Sequence, residues 1–161
     1  MYIVPGMRRI EQTQTMSCWY ASAQMLIHWR REQLQATEID VLDPSEDEGS
    51  VLLRDVNSGI GNSGIIAFAK RLGLRAVPPL CPTEDAIEGW LRWYGPLWVN
   101  GRTHIVVIAG IRPGQVLVYD PAPAFPTPQW RSLETWYAGS GASSRDAAMD
   151  VETVFLHGPA L

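Results

Sequence analysis

The stretch Glu11–Arg31, EQTQTMSCWYASAQMLIHWRR, sets one cysteine, Cys18, at the head of a long amphipathic run, with Gln12 six residues upstream. Trp19, Ala23, Leu26 and Ile27 recur at i, i+4, i+7 and i+8, so the spacing predicts a helix from about Cys18 to about Gln33 with one apolar face turned inward. Thr15 and Ser17 are the candidate caps. A thiol reacts as its thiolate, and the first turn of a helix favours negative charge through unpaired N–H groups and the axial dipole. Cys18 is therefore either a small buried hydrophobe, as free cysteines commonly are, or a nucleophile. The choice turns on whether the chain brings it a base.

Working outward, IDVLDPSEDEGS is polar and acidic and reads as a solvated loop. NSGIIAFAKRLGL, with Asn62 and Ser63 as cap candidates and Gly73 as a stop, reads as a short helix. PTEDAIEGWLRWYGP reads as another, capped by Thr83, carrying two acids in its first turn and ended by Gly95–Pro96. Beyond Pro96 the pattern changes. LWVN, THIVVIAGI, QVLVYDP and VETVFLHG are rich in β-branched and aromatic residues, and RPGQ is a good hairpin turn between the second and third. Helices over about 1–95 followed by antiparallel strands over about 96–161 make an α+β arrangement, expected as a single catalytic domain spanning 1–161.

His104 opens the strand THIVVIAGI, and Asp120 closes the next one across the Pro113–Gly114 turn. In a hairpin the start of one strand lies near the end of the other, so the two fall within a residue or two of cross-strand register. A carboxylate there can fix the tautomer of the imidazole and support its cation. Gln12 lies on a segment able to fold back beside Cys18, where a side-chain amide could bind an oxyanion; Gln14 is its rival, with less chain to turn in. His28 lies nearly three turns along the first helix and is too far away to be the base, and His157 reads as structural or exposed. Cys81, before Pro82, reads as inert. Trp29, Trp90, Trp93 and Trp98 read as core or cleft residues.

Gln12, SCWYAS, THIVVIAG and YDP, in that chain order, resemble the papain-like cysteine peptidases, over Gln12 to about Pro123. GPLWVNGRTHIVVIAGI and VLVYDPAP are similar to the compact bacterial branches, which include bacteriocin-processing peptidases of export systems and papain-like effector proteases injected into other cells. The resemblance implies a nucleophile helix packed on an antiparallel sheet, with Cys18 as nucleophile, His104 as base, Asp120 as orienter and Gln12 as oxyanion donor. It also suggests Trp19 as a substrate contact. Two features depart from the plant and animal papains: the cysteine-to-histidine separation is far below the roughly 130–150 residues usual there, and the third position is Asp rather than Asn. Both point to the minimal bacterial type. The resemblance further implies a protein or peptide substrate and a bacterial secreted effector or toxin restrained by a cognate immunity protein.

Composition narrows the alternatives. Over 161 residues the net charge is −4 and basic residues are scattered apart from Arg8–Arg9 and Arg30–Arg31, which argues against nucleic acid as a partner. No apolar run approaches the roughly 20 residues that span a bilayer, so no membrane partner is expected. The N-terminus MYIVPGMRRIEQ lacks the layout of a secretory signal, leading to the expectation of export without a classical signal and action in the cytoplasm of a target cell. Two cysteines and no paired ligand spacing lead to the expectation of no metal, no cofactor and reduced thiols. Two rivals stay open: a peptidoglycan amidase or endopeptidase using the same triad, and a binding module on the same frame.

Overall fold

The computed structural model describes residues 1–34, 40–77, 83–100, 104–133 and 154–161. The first helix, α1 (Cys18–Leu34), begins at the cysteine. Trp19, Ala23, Leu26 and Ile27 are buried as the spacing predicts, but so are Tyr20, Ala21, Ser22, Met25, Trp29 and Arg30. The helix is thus enclosed over most of its circumference, leaving the His28 side open. Ser17, one of the two expected caps, holds the N-cap position through its carbonyl rather than its hydroxyl. The Ser17 carbonyl accepts the first helical bonds, from Tyr20 and Ala21, while its hydroxyl turns back onto the main chain of Gln14. The Thr15 hydroxyl accepts from Asn57 instead.

The acidic stretch is not a plain loop. It forms a 3₁₀ turn (Pro44–Glu46) and α2 (Glu48–Asp55), and the carboxylates of Asp43 and Asp47 accept the N–H groups of Ser45 and Ser50 as caps. Aspartate before a helical turn satisfies donors that would otherwise lack partners. α3 (Asn62–Leu72) ends at Gly73, which takes the left-handed conformation at φ 79°; its N-cap is Gly61, so neither Asn62 nor Ser63 holds that position. α4 (Glu84–Tyr94) is capped by Thr83, whose hydroxyl accepts from Ala86 N, and ends at Gly95. A side chain at Gly95 would strike the ring of Trp29.

Seven strands among the described residues form one antiparallel sheet: β1 (Tyr2–Ile3), β2 (Arg75–Ala76), β3 (Leu97–Asn100), β4 (Ile105–Arg112), β5 (Gln115–Tyr119), β6 (Gln129–Ser132) and β7 (Phe155–His157). Their order is β2-β7-β3-β4-β5-β6, with β1 paired to β4. β4 is buried on both faces, which explains its unbroken apolar run. Val106 and Ile108 join α4, Leu97, Val99, Val116 and Val118 in one core, whereas Ile105 and Val107 join Trp98 and residues of α1 and α3 in the other. The α+β architecture is the one expected, with helices on both faces of the sheet. β6 was not foreseen.

Candidate active site

Cys18 is the first residue of α1, partly exposed and a free thiol. As the first helical residue, its N–H has no intrahelical carbonyl to meet. Two neighbours fasten the loop ahead of it. Asn57, at φ 53°, accepts from Met16 N at 2.9 Å and donates to the Thr15 hydroxyl at 2.9 Å. Trp19 Nε1 donates to Ser58 O at 3.0 Å. Asparagine tolerates the left-handed backbone this junction requires.

His104 stands directly before β4 and Asp120 directly after β5. Their meeting depends on a β-bulge. From the turn, β4 and β5 pair Arg112 with Gln115, Ile111 with Val116 and Gly110 with Leu117; then the register shifts and Ile108 faces Val118 and Val107 faces Tyr119. Ala109 is the extra residue. One further step sets Asp120 opposite Val106, two residues from His104 and so on the same face. Were Ala109 paired within a regular ladder instead of bulged, Asp120 would face Val107, and the imidazole would project from the other side of the sheet.

His104 Nε2 lies 2.6 Å from Asp120 Oδ1, and the Cys18 side chain is close enough to the same ring to act on its charge. Burial alone would pull the imidazole pKa down; the bonds to Asp120 and Cys18, with the charges of both, outweigh it and push it up to about 9. Asp120 is 1% exposed. Burial would raise its pKa, but the His104 bond and charge, the Ala122 N–H and the Arg131 guanidinium hold it below the ordinary carboxylate value. The arrangement therefore favours a carboxylate beside an imidazolium.

Gln12 is fastened beside them, since its backbone N donates to Pro121 O at 2.9 Å. Its side-chain Nε2 donates to Gln14 O at 2.9 Å and Thr15 O at 3.1 Å, within the loop that precedes Cys18, and its Oε1 is buried without a partner. To reach an oxyanion, one of these two N–H bonds must be exchanged. The main chain of Gln14 is engaged with Gln12 Nε2 and Ser17.

Trp19 requires correction. It is 0% exposed, its indole edge-on to Phe68 and Tyr20, so it props the nucleophile loop from beneath and offers no surface to a substrate. Trp93, at 68% exposed, is neither core nor buried cleft wall. His28 pairs with Asp43 at 2.6 Å, away from the cysteine, and His157 is buried and stacked on Tyr94. Cys81 lies outside the described residues. Sequence reasoning missed Asn57, Arg9 and Arg131. Only Asn57, in the turn-forming run NSG, carried a local signal.

A helix that begins at a cysteine and an antiparallel sheet that delivers a histidine and an aspartate to it define a papain-like cysteine peptidase. Residues 2–138 match the family described as papain-like cysteine protease AvrRpt2; the chain belongs to that family and is a cysteine protease. Among solved structures, it is similar to the peptidase domain of Streptococcus ComA, a bi-functional ABC transporter involved in a quorum-sensing pathway. That match has 17% identity and a TM-score of 0.55 over 94% of this chain and 98% of that one. It is also similar to a double glycine motif protease from an AMS/PCAT transporter in complex with the leader peptide, at 15% identity and a TM-score of 0.51, covering 98% of this chain and 96% of that one. No curated protein sequence matches.

Proposed function

We propose that the chain hydrolyses peptide bonds of a target protein through Cys18, His104 and Asp120, with Gln12 and the Cys18 N–H binding the oxyanion. The observation that carries this reading is the His104 ring, held 2.6 Å from Asp120 and close enough to the Cys18 side chain for that group to help raise its pKa. The Cys18 proton passes to His104, the thiolate attacks the peptide carbonyl carbon, and the C=O electron pair moves onto oxygen. One Gln12 N–H leaves its carbonyl partner for that oxygen. The imidazolium protonates the departing amine; it then removes a proton from water, whose oxygen displaces Cys18 from the acyl group. Asp120 stays ionised throughout. The leader peptide held by one solved relative supports a peptide as the bound substrate form.

The biological setting we propose is that of a bacterial effector or toxin acting in the cytoplasm of a target cell and restrained by an immunity protein that covers the cleft. Wild type and Cys18→Ala are expressed in a bacterial host and their proteomes compared for new N-termini; purified muropeptides are incubated in parallel. New N-termini with the wild type alone are expected. Cleavage of muropeptides with an untouched proteome would instead assign the triad to peptidoglycan. Turnover by Cys18→Ala would remove the proposed nucleophile.

A further inference from the structure

The imidazole accounts for only one oxygen of Asp120. Oδ1 meets His104 Nε2 and accepts from Ala122 N at 2.9 Å, while Oδ2 accepts from Arg131 Nη2 at 2.8 Å. Arg131 comes from the edge strand β6, where it pairs with Val116 of β5. Its side chain is 11% exposed, its guanidinium lies 4.8 Å from the centre of the Phe125 ring, and Nη2 also donates to Gln129 Oε1 at 3.2 Å. This cation is therefore fixed by its own neighbours before it meets the carboxylate.

A buried carboxylate with one oxygen bound and the other bare carries an unsatisfied acceptor, and it can relieve this by rotating or by taking a proton. Either change spoils the bond to the imidazole. We propose that Arg131 is a positioning residue of the catalytic triad, anchoring Oδ2 so that Oδ1 stays aligned with His104 Nε2. The inference rests on the reading of Asp120 as the group that orients His104. Arg131 acts through Asp120, so its loss weakens the support of the imidazolium and slows reactions at the Cys18 sulfur.

The probe is iodoacetamide, with the rate of Cys18 alkylation followed by peptide mass spectrometry at pH 6. No protein substrate is needed. Wild type, R131Q, R131K, D120A and D120A/R131Q are compared after circular dichroism shows each to be folded. R131Q is expected to slow alkylation about tenfold, as one pKa unit of lost support would. R131K, which keeps a cation, recovers part of that loss. In the D120A background, R131Q has no further effect, because the group it acts through is gone. A wild-type rate for R131Q, or an equal additional loss in the double variant, overturns the inference while leaving the triad intact. A wild-type rate for D120A overturns both. If R131Q does not fold, R131K against D120A/R131K gives the same comparison.

Discussion

His104 meets the buried carboxylate of Asp120, and its pH behaviour follows from that. The folded imidazole titrates at about 9 rather than 6.5, so the fold favours its protonated form. The resulting stabilisation is complete below about pH 6.5 and is lost as pH climbs through about 9. Asp120 works in the opposite sense. Its folded pKa is lowered, so its contribution is complete above the ordinary carboxylate value and is lost as pH falls through the depressed one. Between these limits both groups are charged. We expect kcat/KM to decline on the alkaline side through about pH 9, where the ring can no longer protonate a leaving amine. An NMR titration of the His104 ring should give a lower pKa in Asp120→Asn than in wild type, and a lower one also in Cys18→Ala. A ring unmoved by either change would dissolve the pairing. Asn57 allows a second test at this scale. Asn57→Gly keeps the left-handed backbone but loses both bonds to the nucleophile loop. With each bond contributing roughly 0.5–1.5 kcal/mol, kcat/KM should fall about tenfold, and Asn57→Ala should fall further through backbone strain.

At the scale of elements, the bulge in β4 decides whether the hairpin delivers a catalytic pair. β4 carries apolar side chains on both faces, so the strand can slide by one residue and still bury Ile and Val on each side. Inserting one alanine between Val106 and Val107 should therefore leave a folded chain, with its circular dichroism retained, in which His104 and Asp120 emerge from opposite faces. Activity should drop by about 10⁴, the scale of losing the orienting partner of a catalytic histidine. Retained activity would mean that the register of β4 beyond Val107 does not set the pair. Nothing in THIVVIAGI announces the bulge, yet the pair was legible. His104 and Asp120 flank two apolar runs joined by Pro-Gly, and hairpin geometry brings such ends close whatever the local register. β6 was not legible because QWRS shows no apolar alternation and lies at a sheet edge, where pairing comes from β5 rather than from burial. The Asp43 and Asp47 caps were masked by overall acidity, which resembles a solvated surface until each carboxylate is matched to the donor it serves. Trp19 was misjudged because adjacency to Cys18 along a helix turns a side chain by about 100°, here into the core.

Across the whole molecule, the site is assembled from parts of the chain that only tertiary contacts can hold together. Arg9 makes the longest of these ties: Nε donates to Asp120 O at 2.7 Å and Nη2 to Ala122 O at 2.6 Å, while Gln12 N donates to Pro121 O at 2.9 Å. The segment that carries Gln12 toward Cys18 is thereby stitched to the turn that carries Asp120 toward His104. Sequence alone could not reveal this, because the partners are main-chain carbonyls more than 100 residues away and have no identity to recognise. The Arg9 side chain is 13% exposed, so its two charge-assisted bonds are sheltered from water. Arg9→Gln should remove about 2 kcal/mol of stability, and a chain of this length then melts about 4–8 °C lower. Because the same bonds align Gln12 with the Asp120 turn, kcat/KM measured well below the new melting point should fall as well. Arg9→Lys, whose ammonium reaches one carbonyl but cannot fork between two, should lie between the wild type and Arg9→Gln in both measurements. A lowered melting temperature with kcat/KM unchanged would separate the stitch from the chemistry, leaving Arg9 a strut of the fold and Gln12 held in place by its own backbone.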